Sequence, residues 1–191
     1  MTLIPHLPTA ELNPAVPHLL ASPADRGLVR MILCRPSEGV RVVLADGVVD
    51  PVVGMRGDSW IERPWLRTDE GEPDRAAQVS IMNARVNALV AGEEARRPLA
   101  GDQLFLDLDL SVANLPVGSR LHVGDSVLEV TEAPHLACGK FVDWYGPDAT
   151  RFVNSRLGRA NRWRGVYARV VRGGRVAVGD SVGKVARNAA P

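Results

Sequence analysis

Cysteine is nearly missing from this chain: Cys34 and Cys138 are the only two among 191 residues. Two thiols cannot form a disulfide scaffold or ligate an iron–sulfur cluster. His135 and Cys138 have a spacing that suits two metal ligands. A zinc site needs three or four, and His6, His18 and His122 are scattered with no second pair. Aromatic residues make up only 5%, too few for a platform that stacks nucleic-acid bases. No apolar run approaches the roughly 18 residues that a membrane span requires. The N-terminus lacks the basic-then-apolar order of a secretory leader. The expectation is a protein of the reducing cytoplasm, with no zinc, no iron–sulfur cluster and no membrane.

Hydrophobic residues at 46% and charged residues at 24% are ordinary for a globular domain. The 18 glycines and 14 prolines favour turns and short strands over a helical bundle. A net charge of +1 hides an asymmetry. Residues 1–148 carry 21 acids and 13 Lys or Arg, or −8, whereas residues 149–191 carry 10 Lys or Arg and one acid, or +9. Only Lys140 and Lys184 are lysines, so the basic segment is built from arginine. Three readings fit it: a solvated face, a phosphate clamp in which Arg162 and Arg164 flank Trp163, or a nucleic-acid contact. The shortage of aromatics and the absence of a binding motif argue against nucleic acid.

Periodicity predicts a mainly β chain with a few helices. Leu28–Leu33 and Arg41–Leu44 read as strands, with Asp46-Gly47 as a hairpin turn after the second. Residues 51–74 read as a long loop. Ser80 is expected to cap a helix carrying Met82, Val86, Leu89 and Val90, stopped by Gly92. Leu104, Leu106, Leu108 and Leu110 alternate as in a half-buried strand. Two further strands flank Gly124-Asp125, Asp148 is placed as the cap of a short helix, and 166–172 with 175–178 are expected to pair as a hairpin around Gly173-Gly174. Short strands at turn spacing predict an antiparallel-rich β-barrel. Residues 1–27 are expected to form an N-terminal extension with a short helix after Thr9. Residues 28–187 would be a single domain, and 188–191 a tail.

Chemistry concentrates in Pro134-His-Leu-Ala-Cys138-Gly-Lys140-Phe141, which follows a strand and places a glycine beside one of the two thiols. On its own, Cys138 reads more simply as a small buried apolar residue. Gly54-Met-Arg56-Gly57-Asp58 resembles a phosphate loop but lacks the lysine and hydroxyl of one. Its plainer role is a turn in which Asp58 caps or pairs an arginine. There is no G-x-S-x-G nucleophile elbow.

Taken in order, these segments resemble a known family. Gly101-Asp-Gln-Leu104, Asp109-Leu-Ser-Val-Ala-Asn114-Leu-Pro-Val-Gly118, Glu129-Val-Thr-Glu-Ala-Pro-His-Leu-Ala-Cys138-Gly-Lys140-Phe141, Arg164-Gly165 and Val178-Gly179-Asp180 are similar to the MOSC domain. That family is named for the C-terminal domain of molybdenum-cofactor sulfurases. The resemblance runs from about Leu28 to Val182, and Gly54–Asp58 matches the family's early Gly-x-x-Gly-Asp. It implies a MOSC-type β-barrel with an exposed cysteine at Cys138, associated with sulfur transfer or molybdenum ligation. In relatives that reduce N-hydroxylated bases, it implies bound molybdenum cofactor with basic groups on the pterin phosphate. Lys140, Arg162 and Arg164, with Arg56, Asp58 and Asn114, are the expected cofactor-binding positions. The chain has neither a pyridoxal-lysine domain nor an iron–sulfur domain, so a separate electron donor or a pyridoxal-phosphate-dependent cysteine desulfurase would be its partner. The alternative to a reductase is a carrier holding a persulfide on Cys138.

Overall fold

The computed structural model describes residues 6–186. The expected 188–191 tail and the first five residues lie outside them. The strands are β1 (Gly27–Cys34), β2 (Val42–Leu44), β3 (Asp46–Asp50), β4 (Gly54–Met55), β5 (Val79–Asn83), β6 (Leu104–Asp107), β7 (Arg120–Val123), β8 (Ser126–Val130), β9 (Val166–Arg172), β10 (Gly174–Ala177) and β11 (Ser181–Lys184). The helices are α1 (Thr9–Leu12), α2 (Val16–Leu20), α3 (Ala84–Ala91), α4 (Gly139–Asn154) and α5 (Arg156–Ala160).

Seven strands close a barrel in the order β1-β11-β7-β8-β9-β5-β6 and back to β1, and β2 extends the sheet beyond β1. An odd ring cannot be antiparallel throughout, because strand direction must alternate an even number of times to close. The exception falls at β5 and β6, which pair in parallel with Ile81 opposite Leu104. Parallel neighbours need a crossover, and α3 lies on the connection. Strands β10, β3 and β4 form a separate small sheet.

The helices explain why the central strands are more apolar than alternation predicts. Leu104 and Leu106 point into the barrel, packed with Val29, Ile81, Leu128 and Val170. Phe105 points out, yet it is buried beneath a second layer with Leu33, Met82, Phe141, Tyr145 and Trp163. Strand β6 is thus covered on both faces, not half-buried as alternation suggests. Polar satisfaction also moves the start of the first long helix. Met82 and Ser80 belong to β5, and the cap is Asn83, whose side chain accepts from Arg85 and Val86 N–H. Gly92 does end that helix, at φ 69°.

Two turn expectations and one helix cap are corrected. Asp46-Gly47 is not a hairpin turn but the start of β3, whose partners are β10 and β4. Gly173 separates β9 from β10, but these strands leave for different sheets: β9 pairs with β8 and β5, and β10 with β3. Asp148 does not cap its own helix. Its carboxylate accepts the Thr9 N–H at 2.8 Å and so caps α1. Gly124-Asp125, by contrast, joins β7 to β8.

Helix α4 breaks at Gly146, where φ is 86° and Pro147 follows. The His6 ring occupies the space a Cβ would need there, its nearest atoms 2.6 Å from that position. The first half of α4, carrying Lys140, Phe141 and Trp144, is thereby held against the barrel end where β1 and β9 open into loops.

Candidate functional site

A cleft of about 780 Å³ opens at that end of the barrel. It is walled by residues after β1 (Arg35 to Arg41), the 58–65 loop, Leu99 to Asp102, the 134–138 loop, the start of α4, and Arg164 with Tyr167 from around β9. Cys138 occupies the N-cap position of α4, and its thiol is exposed. Lys140 follows on the rim, exposed and 3.7 Å from Glu38. Arg164 lies deeper. Its Nη1 donates to Asp102 Oδ2 at 2.8 Å, and its guanidinium lies over the Phe141 ring at 5.2 Å.

Asp58 also lines the cleft, but its carboxylate is consumed. It accepts from the Arg35 backbone N–H at 2.8 Å, from Arg35 Nε at 2.9 Å and Nη2 at 3.0 Å, and from the Trp60 N–H at 3.0 Å. Burial works against the Arg35 charge, yet these bonds hold the guanidinium above its ordinary range. Asp58 therefore builds the wall that presents Arg35.

The other expected positions are elsewhere. Arg56 points away from the cleft and pairs with Asp50 at 2.9 Å on a neighbouring groove. Arg162, at φ 48° in a tight turn, sends Nη1 to the Leu115 carbonyl at 2.5 Å, on the far side of the 134–136 loop. Burial lowers its pKa from the ordinary arginine value. Asn114 donates to the Ala24 and Asp109 carbonyls at 2.9 and 2.7 Å and accepts from Lys184 Nζ at 2.8 Å, which makes it a fastener between loops. Cys138, Lys140, Arg164 and Asp58 converge on the cleft; Arg56, Arg162 and Asn114 do not.

Several lining residues had no local signal in the sequence: Arg35, Arg41, Trp60, Trp65 and Tyr167, while His135 was weighed only as half of a metal-ligand pair. Asp102 was visible only as the second residue of the Gly101-Asp102 segment. The lining holds five Lys or Arg (Arg35, Arg41, Arg63, Lys140, Arg164) against three carboxylates (Glu38, Asp58, Asp102), so the cleft favours an anion. Arg41 Nε, Trp60 Nε1 and Arg164 Nε are buried without hydrogen-bond partners. Three unpaired donors around one cleft fit a ligand that brings acceptors, since a buried donor left unpaired is costly. Burial, aided by Asp102, pushes the Tyr167 hydroxyl up to about 12, so it stays protonated at neutral pH. Among the described residues no three His, Cys, Asp or Glu side chains converge to hold a metal ion. A metal at Cys138 would take its remaining ligands from the molecule it arrives with.

The two thiols make the site checkable. Cys34 is buried, and burial followed by the nearby Asp58 charge pushes its thiol up. Iodoacetamide at neutral pH should alkylate Cys138 first and reach Cys34 only on unfolding, because access and thiolate content govern rate. Mass spectrometry reads the order. Equal or reversed labelling would mean that Cys138 does not face the cleft mouth.

A sequence profile described as the MOSC domain matches residues 61–183. No curated protein matches the chain. The fold is similar to the YuaD protein from Bacillus subtilis at 20% identity, TM-score 0.60, covering 85% of this chain and 97% of that one. YiiM from Escherichia coli has 14% identity and TM-score 0.52, covering 84% of this chain and 71% of that one. YiiM from Geobacillus stearothermophilus has 15% identity and TM-score 0.52, covering 87% and 75%. At such identities the structures speak for the barrel architecture alone. The profile covers most of the chain, and with it the whole run from the 61–65 edge of the cleft through Asp102, Cys138 and Arg164: the chain belongs to the MOSC domain family.

Proposed function

We propose that this protein binds molybdenum cofactor in the cleft beside Cys138 and reduces N-hydroxylated small molecules, with electrons from a separate donor protein. The observation that carries the reading is the exposed Cys138 sulfur at the mouth of a cationic cleft whose buried Arg41, Trp60 and Arg164 donors have no partner. A soft thiolate suits a sulfur-rich metal centre, and arginine suits a phosphate. In this reading Cys138 holds the metal, while Arg164, Arg41 and Lys140 hold the phosphate and pterin. When bound, the cofactor supplies the two-electron redox chemistry. The barrel contributes ligation, orientation and an electrostatic field. A reducing cytoplasm, where the thiol stays free, is the compartment the reading requires. Among the described residues no helix is long and apolar enough to cross a membrane.

A second reading, a persulfide carrier loaded by a pyridoxal-phosphate-dependent cysteine desulfurase, has its own support. Leu136 and Trp144 beside Cys138 are 49% and 39% exposed, an apolar rim on which a partner protein could close. Metal and pterin analysis of protein from a host that makes molybdenum cofactor separates the two. The reductase reading expects about one molybdenum per chain and its loss in Cys138→Ala, with the pterin partly retained. Wild-type protein that holds neither molybdenum nor pterin, yet takes labelled sulfur onto Cys138, would replace the reductase by the carrier.

A further inference from the structure

The long loop between β4 and β5 contains a segment that joins neither core cluster. No residue from Ile61 to Ala76 is buried, whereas Trp60 before it and Ala77 after it are 5% and 3% exposed. The segment folds on itself instead. Thr68 N–H donates to the Glu72 carbonyl at 2.9 Å, Gly71 N–H to the Thr68 carbonyl at 2.9 Å, and Arg67 Nη1 to the Gly71 carbonyl at 2.7 Å. Both stems are pinned. Ser59 N–H and Oγ donate to the Arg35 carbonyl at 3.0 and 2.8 Å, and Asp74 accepts the Ala76 N–H at 2.8 Å. Among the described residues, the only hydrogen bonds leaving residues 61–73 go to Ser59 and Asp74 at those stems.

Apart from a 4.0 Å approach of Arg63 to the exposed Glu38, it is Trp65 that reaches from this segment to the barrel. Trp65 is 54% exposed, lines the cleft and meets Tyr167 of β9, with ring centroids 5.4 Å apart and planes tilted by 34°. That contact is looser than the buried one of Phe152 on Trp163, at 4.6 Å and 19°. Tyr167 is the fixed partner, since it also packs on the buried His135 ring at 4.3 Å. The stem has open space on two sides. Ser59 and Arg63 line the cleft, and with Ile61 and Glu62 they also line the neighbouring groove of about 870 Å³.

We propose that residues 61–73 are a hinged flap, and that Trp65 and Tyr167 are an aromatic clamp which parts to take a flat group of a ligand beside Cys138. A flat group needs about 3.5 Å to the ring on each of its faces, so the centroids must separate from 5.4 Å to about 7 Å. No buried residue has to move for this, and a segment without buried apolar contacts opens at little cost. The thiol is near the gap. Burial and the Asp102 charge raise the Tyr167 hydroxyl, and the Cys138 charge adds to them from close by. Trp65 thus selects ligands by shape: a flat group gains a ring on both faces, and a bulky saturated one gains no stacking. The clamp does not depend on the redox step proposed above.

Two maleimides that differ only at nitrogen test the clamp on cofactor-free protein. N-phenylmaleimide and N-ethylmaleimide each form a thioether with the Cys138 sulfur, but only the first leaves a flat ring beside the gap. Trypsin then reads the flap by cleavage after the exposed Arg67, two residues from Trp65, because proteolysis follows the population of the opened segment. In wild-type protein the phenyl adduct should be cut there about three- to tenfold more slowly than the ethyl adduct, the scale of one aromatic contact. In Trp65→Ala the two adducts should be cut at one rate, and Trp65→Phe should keep part of the difference. Equal rates for the two wild-type adducts would overturn the clamp. So would a difference that survives in Trp65→Ala, or a Cys138 that takes neither reagent. Molybdenum plays no part in this readout, so a failed reductase reading leaves the clamp standing, and a failed clamp leaves that reading untouched.

Discussion

Arg164→Ala is expected to cost about 3–5 kcal/mol of stability, the range for breaking a buried ion pair from one side. The Arg164 and Asp102 side chains are 11% and 1% exposed, and their contact is 2.8 Å. Without the guanidinium, Asp102 keeps its burial and loses its main opposing charge, so its carboxyl rises further from the ordinary range. An acid whose folded pKa lies above its unfolded pKa binds more protons when folded. Stability therefore falls as pH rises from the unfolded value through the folded one. Urea titrations at pH 5 and pH 8 should show a wider gap between wild type and variant at pH 8. The same substitution removes an unpaired donor and a positive charge from the cleft, so if the cleft holds the proposed cofactor, its retention should drop as well. Arg164→Lys should recover part of the stability and less of the retention, because an ammonium restores charge but not the planar fork. A pH-independent loss below about 1 kcal/mol, the scale of an exposed pair, would show that Asp102 is not held by this contact.

The contrast between Arg164 and Arg162 shows where the sequence stops being informative. Both arginines flank Trp163 and look equivalent on paper. Trp163 is buried against Phe152, with ring centroids 4.6 Å apart, and the turn reverses there, so its two neighbours leave on opposite sides of the 134–136 loop. Cys138 stood out as one of only two cysteines, beside Gly139 and Lys140 after a strand, but it was raised above a plain buried thiol by the family resemblance and not by its neighbours. Arg35, Arg41 and Asp102 were not legible, since the chain has many arginines and carboxylates, and what distinguishes these is which distant residue they meet. The same divide runs through the fold. Gly124-Asp125 could be read because a hairpin is a local event. The partners of β10 and the parallel pair that closes the odd ring are set by the assembled barrel, and no short window contains them. Met82 misled for a related reason: it is apolar in helical register with Val86, but it faces the helix layer from the end of a strand.

The Asp58 carboxylate should prove the other large determinant of the site. Its five donors come from three places: the Arg35 backbone and two guanidinium nitrogens at the end of β1, the Trp60 N–H in the loop, and Gln103 Nε2 at 3.3 Å. Asp58→Ala would leave Arg35 as an uncompensated, largely buried charge beside unpaired N–H groups. The expected loss is about 3–5 kcal/mol, a large share of the roughly 5–15 kcal/mol that keeps a domain folded. Asp58→Asn should fall between wild type and alanine, because one oxygen still accepts while the new amide hydrogens confront the guanidinium. Removing the charge on both sides, as Asp58→Ala with Arg35→Met, should recover much of the loss, since a buried pair replaced by apolar groups is often close to neutral. Cys34 supplies a local reporter that global unfolding does not. Its Sγ lies 4.0 Å from the Arg56 carbonyl in the same turn, and the Asp58 charge helps hold its thiol up. Iodoacetamide should therefore reach Cys34 faster in Asp58→Ala than in wild type, under conditions where both are folded. A stability change under about 1 kcal/mol together with unchanged Cys34 labelling would show that the wall presenting Arg35 stands without this carboxylate.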